Sequence, residues 1–181
     1  MLVRDYRKHF IEKLTPIYDA LEAESFFYLA FEELHRMKRI DLALHSELIM
    51  SDTQLSQWSE ILEQLQHEIP IQYILGKTHF YGLEFEVDEN VLIPRPETEE
   101  LVDWIVSNSK SAGHSALQIL DIGTGSGCIA VSLAKNLKAA TVSAIDVSEK
   151  AIELAKKNAL LNGVEVTFIL QNILETEDLN M

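Results

Sequence analysis

Apolar residues recur every three or four positions through the first part of the chain: Phe10, Leu14 and Ile17, then Phe26, Phe27, Ala30, Phe31 and Leu34, then Leu55, Trp58, Ile61, Leu62 and Leu65. That period lines them up on one face of successive helices, so a small helical bundle is expected over residues 1–76. Ser51 or Asp52 is placed to cap the helix carrying Trp58, and Pro70, which has no amide hydrogen to donate, is expected to stop it. Gly76 closes a short helical turn around Tyr73, Ile74 and Leu75, and there the period changes. Residues 78–93 alternate as strands do, with Phe80, Leu83, Phe85 and Val87 spaced by Glu84 and Glu86 and with Gly82 at the bend. The pattern predicts a β-hairpin over residues 77–93 that links two domains.

After the hairpin, Pro96 falls at the expected first turn of a helix, with Glu97, Glu99 and Glu100 near its positive end. The helix should run through Leu101, Val102, Trp104 and Ile105 to about Ser109, its apolar face taking Trp104 into the core as the earlier helix takes Trp58. A polar connection from Lys110 to Ser115 follows. Strand and helix patterns then alternate: strand Leu117 to Ile122, helix Cys128 to Leu137, strand Thr141 to Ile145, helix Glu149 to Leu161 with Gly163 past its end, and strand Val164 to Leu170. Such alternation predicts a parallel sheet with right-handed crossovers over residues 94–181, and an α/β class for the chain.

Composition narrows the function. The 181 residues are 47% hydrophobic, which requires a buried core, yet no apolar run approaches the ~18 residues that cross a bilayer. The N-terminus MLVRDYRKHF is charged where a signal peptide would be apolar, so a cytoplasmic protein without a membrane partner is expected. One cysteine, Cys128, cannot pair within the chain, and it reads as a packing residue. The six histidines are too dispersed for a ligand motif, and no structural metal is expected. A formal charge of −14, shared by both halves, offers no basic face for phosphates, which argues against free nucleic acid as a partner.

The segment Asp121-Ile122-Gly123-Thr124-Gly125-Ser126-Gly127 carries the chemistry. A buried strand ends there in a glycine turn that opens a helix, a layout that lets backbone approach a ligand and leaves the first helical amides free to bind it. Asp146 ends the next strand, 19 residues after Gly127, where a carboxylate suits both hydroxyls of a ribose. Glycines at 123, 125 and 127 depart from the G-x-G-x-x-G order of dinucleotide sites, and Asp121 would repel a pyrophosphate. A nucleoside with an ammonium group and no phosphate fits better, and S-adenosylmethionine is such a molecule.

Three blocks of the chain resemble the bacterial N5-glutamine methyltransferases that modify peptide chain release factors. They are Gln72-Tyr73-Ile74-Leu75-Gly76 with Phe80, Gly82, Leu83 and Phe85; Val91-Leu92-Ile93-Pro94-Arg95-Pro96-Glu97-Thr98-Glu99; and Asp121 to Gly127 with Asp146. The resemblance implies an N-terminal helical bundle that docks the release factor, a β-hairpin linker, and the first half of a Rossmann-like class I methyltransferase domain. It implies S-adenosylmethionine, or its product S-adenosylhomocysteine, as the cofactor. Gly123, Thr124, Gly125, Ser126 and Gly127 would hold its methionine and ribose part, with Asp121 near the amino group and Asp146 on the ribose. Asn172 and Ile173 would face adenine, Asn172 standing where the family has an acid. Arg95, Glu97 and Thr98 match the family's lid over the cofactor, and an ordinary helix start explains them equally well.

The family's Asn-Pro-Pro-Tyr, which orients the glutamine amide, is absent from this sequence. No catalytic residue is therefore assigned; the chain is expected to be C-terminally truncated and inactive alone. Its strand Leu117 to Ile122 is expected to form an exposed sheet edge prone to self-association. A methyltransferase for adenine or cytosine in DNA and a non-catalytic protein-binding module remain the alternatives.

Overall fold

The computed structural model describes residues 1–111 and 117–175. From residue 112 onward, the polar connection, with Gly113 and His114, lies outside the described residues. The chain divides into two compact units, Met1–Leu75 and Gly76–Met181.

Five helices make the first unit: α1 (Val3–Leu14), α2 (Ala20–His35), α3 (Arg39–Leu44), α4 (Asp52–Gln66) and α5 (Ile71–Leu75). Their apolar stripes meet in one aromatic core, where Trp58 stacks on Phe27 at 4.7 Å and meets Phe10 edge-on at 5.5 Å. Ser51 is the cap of α4: its hydroxyl accepts the Gln54 amide while the Gln54 side chain accepts the Ser51 amide. Two expectations fail here. Ile17 lies beyond the end of α1 and is 41% exposed, because the helix stops at Leu14. Pro70 does not stop α4. The helix ends at Gln66 in a Schellman motif, with Glu68 left-handed at φ 59° and the Glu68 and Ile69 amides donating to the Leu65 and Gln64 carbonyls. Pro70 opens α5 instead, its carbonyl accepting the Tyr73 and Ile74 amides.

The second unit begins with the antiparallel hairpin β1 (Lys77–Phe80) and β2 (Leu83–Glu86). Tyr81 and Gly82 join them, both left-handed at φ 49° and 74°, the two-residue turn whose twist suits a hairpin. The strand pattern stops at Glu86 rather than continuing to residue 93; a turn at 88–91 follows, closed by the Val91 amide on the Asp88 carbonyl. Phe80 and Phe85 are buried with Val102, Val106, Cys128, Val131 and Ala159, so the hairpin packs into this unit's core.

Then come α6 (Pro96–Ser111), β3 (Gln118–Ile122), α7 (Cys128–Asn136), β4 (Thr141–Asp146), α8 (Glu149–Leu161) and β5 (Thr167–Leu170). The three strands form a parallel sheet in the order β3-β4-β5, and among the described residues β3 has a strand neighbour on one side only. Strand β5 starts at Thr167, three residues later than the apolar pattern suggests. The Val164 amide is taken up in ending α8, where it donates to the Ala159 carbonyl beside left-handed Gly163. Trp104 also departs from expectation: it is 66% exposed. Helix α6 buries Val102 and Val106, one turn apart, and this phase carries Trp104 away from the core.

Candidate functional site

Strand β3 delivers Asp121 and Ile122 to the carboxyl end of the sheet, and residues 123–127 turn the chain into α7. Gly123, Gly125 and Gly127 all have positive φ, at 76°, 54° and 80°, a region that disfavours side chains. Their surroundings differ. A Cβ on Gly123 or Gly125 would meet nothing within 4 Å, whereas one on Gly127 would meet Ala155 Cβ at 3.0 Å. The first two leave open space above the turn, and the third allows α7 and α8 to approach closely.

The turn is stitched to the end of β4. The Gly123 and Thr124 amides donate to the Ile145 carbonyl at 2.8 and 3.0 Å, and the Gly125 amide donates to Asp146 Oδ2 at 2.9 Å. The Gly127 amide closes on the Thr124 carbonyl at 2.8 Å. These four amides of the turn, all preceding the first residue of α7, are thus engaged within the protein. The buried side chains of Thr124 and Ser126 face inward as well. Thr124 Oγ1 donates to Asp121 Oδ2 at 2.7 Å.

Burial holds the Asp121 carboxyl above its ordinary value; the Thr124 hydroxyl and Ala130 amide oppose the shift, and the Asp146 charge adds to it. Two carboxylates therefore flank an open turn, an environment that favours a cation. Asp146 Oδ1 accepts the Ser148 amide at 2.9 Å, fixing the carboxylate at the strand end. The Gln171 amide donates to the Asp146 carbonyl at 3.0 Å, which brings Asn172 and Ile173 to the same end of the sheet. Asn172 Oδ1 accepts the Leu174 amide at 3.1 Å and so starts the 3₁₀ turn Ile173–Glu175. Arg95, Glu97 and Thr98 stand at the start of α6, where the Thr98 amide donates to the Arg95 carbonyl at 3.0 Å. No hydrogen bond among the described residues ties them to the glycine turn.

Cys128 is buried, and that burial pushes its thiol up to about 11, which suits packing rather than nucleophilic chemistry. Sequence reasoning missed Asn158, which is fully buried and bonded to the carbonyl of Ser126. The available signal was Asn158 itself, a polar residue in the interior of α8, where asparagine is disfavoured.

Comparison with known proteins matches residues 6–76 to the PrmC N-terminal domain and residues 113–180 to a methyltransferase domain. Release factor glutamine methyltransferase of Flavobacterium psychrophilum is 58% identical over 181 residues, 99% of this chain and 64% of the relative. Its counterpart in Bacteroides thetaiotaomicron is 40% identical over 166 residues, covering 92% of this chain and 58% of that protein. The chain thus spans less than two thirds of the length of these relatives. Among solved structures, a SAM dependent methyltransferase from Agrobacterium tumefaciens aligns with a TM-score of 0.44 at 25% identity, over 53% of this chain and 32% of that one.

Proposed function

The chain belongs to the release factor glutamine methyltransferase family, and from that premise we propose that it binds S-adenosylmethionine and serves methyl transfer to the side-chain amide nitrogen of a glutamine in a peptide chain release factor. Its second unit has the class I methyltransferase fold, preceded by a helical region and a β-hairpin. The observation that carries the proposal is the open space above Gly123 and Gly125, flanked by the Asp121 and Asp146 carboxylates. Bare backbone admits a ligand there, and two acids select one that is cationic and free of phosphate.

When bound, the cofactor supplies a methyl carbon made electrophilic by its sulfonium. The residues of this chain bind and orient it. Asp146 would accept hydrogen bonds from the ribose hydroxyls with the lone pairs left over from the Gly125 and Ser148 amides. Asp121 would pair with the amino group, and the backbone of residues 123–127 would pack against the methionine and ribose. Asn172 and Ile173 would flank adenine, and Arg95, Glu97 and Thr98 would close over the site. An amide nitrogen is a weak nucleophile, so holding the two reactants in place is the main contribution such an enzyme makes. The sequence contains no Asn-Pro-Pro-Tyr, and no residue here is assigned to orienting the glutamine. The helical unit would dock the protein substrate. We place the reaction in the cytoplasm: no helix among the described residues is long and apolar enough to cross a membrane, and the single cysteine is free.

Calorimetric titration of the chain with S-adenosylhomocysteine, S-adenosylmethionine and NAD tests the cofactor assignment. The first two should bind and NAD should not, and Asp146→Asn should weaken binding about tenfold, the loss of roughly 1.4 kcal/mol. Saturation by NAD, or no heat with the adenosyl compounds, overturns it. A pull-down that retains a release factor and not duplex DNA supports the substrate class.

A further inference from the structure

Asn158 lies in α8 with no exposed surface, and every polar atom of its carboxamide is engaged. Oδ1 accepts the Glu86 amide at 2.7 Å, while Nδ2 donates to the Glu86 carbonyl and to the Ser126 carbonyl, both at 2.9 Å. An amide has two N–H donors, so one goes to the hairpin and the other to the glycine turn. Asn162, one helical turn on, donates to the Glu84 carbonyl at 2.9 Å and so holds the same edge of β2 without touching the glycine turn.

The placement of the Ser126 carbonyl matters because Ser126 sits between two left-handed glycines. Its carbonyl direction sets the plane of the peptide joining it to Gly127, and glycines on either side supply little stiffness of their own. Asp146 holds the turn at the Gly125 amide, and Asn158 holds it one residue later at the Ser126 carbonyl. The hairpin at the other end of this bond is itself fixed to α6. The Tyr81 amide donates to Glu99 Oε1 at 3.0 Å, and its hydroxyl donates to Asp103 Oδ1 at 3.0 Å. A continuous set of hydrogen bonds thus runs from the first turns of α6, through the hairpin, to the glycine turn.

We infer that Asn158 is a positioning residue: its carboxamide fixes the Ser126–Gly127 peptide and makes the shape of the proposed cofactor turn depend on the seating of the hairpin. Neither an acid nor an aliphatic residue replaces it. An aspartate would set acceptor oxygens against the Ser126 and Glu86 carbonyls, and a leucine would leave three backbone groups without partners. The consequence for cofactor affinity rests on the function proposed above; the consequence for the turn does not.

The experiment compares the unaltered chain with Asn158→Asp and with Asn162→Ala, which loosens the hairpin but spares the turn. In the ligand-free chain, amide hydrogen exchange at residues 125–128 should quicken at least tenfold in Asn158→Asp and stay within about twofold in Asn162→Ala. At a temperature where all three are folded, the dissociation constant for S-adenosylhomocysteine should rise at least tenfold in the first variant alone. Should Asn158→Asp not fold, Asn158→Ser is read in the same way, having no charge and no added bulk. Unchanged exchange in the Asn158 variant overturns the inference. So does equal loosening of the turn in both variants, which would mean general packing of helix on hairpin. Failure of the unaltered chain to bind the adenosyl compound would sink the cofactor proposal while leaving the exchange measurement to decide the role of Asn158.

Discussion

Asp121 and His35 illustrate opposite directions of one rule, that burial disfavours the charged form. Asp121 titrates above its ordinary 3.8, so between that value and its raised one the folded chain keeps a proton the unfolded chain has lost. Its contribution to stability therefore declines as pH rises through that window. A cationic ligand pairing with the carboxylate must displace the same proton, and the affinity for S-adenosylmethionine should climb with pH across the window. Titrations in buffers of different ionisation heat should show proton release there, and Asp121→Asn should abolish it. Burial holds His35 below its ordinary 6.5, and its Nε2 accepts the Trp58 indole N–H at 3.1 Å. Protonating Nε2 would set two donors against each other. Below 6.5 the unfolded chain takes up a proton that the folded chain refuses, so stability is lost as pH falls from 6.5 towards the lowered value. Urea midpoints measured down that range should drop, and His35→Gln should flatten the slope.

Elements meet at positions where one methyl group decides the fit. Gly127 combines a φ of 80° with a would-be contact of 3.0 Å to Ala155 Cβ and 3.3 Å to its Cα, so Gly127→Ala must strain the backbone and push α8 away from α7. Chemical denaturation should show a loss of about 2 kcal/mol or more, without requiring any change in the first unit. The helices themselves were largely legible, because a three-and-four spacing and a Ser-x-x-Gln box are local signals. Which face a helix buries is decided by its neighbours, and Trp104 was misread for that reason. Its spacing from Leu101 resembles a core stripe, while the buried stripe runs through Val102 and Val106. Trp58→Ala should therefore remove roughly 3–5 kcal/mol, and Trp104→Ala should change thermal stability by within ~0.5 kcal/mol. The end of β2 and the start of β5 were misplaced because apolar residues lie outside the strands as well, Val87 just after β2 and Val164 before β5. At the site, the glycine turn and Asp146 could be read from order alone. Asn158 stood out only as a polar residue inside a helix, and what it binds could not be read, since its hairpin partner lies 72 residues away in the chain.

At the scale of the molecule, the chain is two compact units with separate cores, and the aromatic cluster around Phe10, Phe27 and Trp58 lies wholly within residues 1–75. A fragment ending at Leu75 should therefore fold by itself. Circular dichroism should give a cooperative helical melt, and a gradual, featureless loss of signal would count against an independent core. The α/β order of the second unit and the strongly acidic charge were visible in composition and periodicity. The change of period falls at Gly76, the first residue of the second compact unit.

The contrast between the two indoles has a practical consequence. Trp58 belongs to the first unit and is enclosed; Trp104 belongs to the second and is mostly in water. Excited at the indole band, the native chain should emit as the sum of a blue component and a red one, and a small aqueous quencher such as acrylamide should extinguish the red one first. One spectrum then reports on each unit separately, with no label attached.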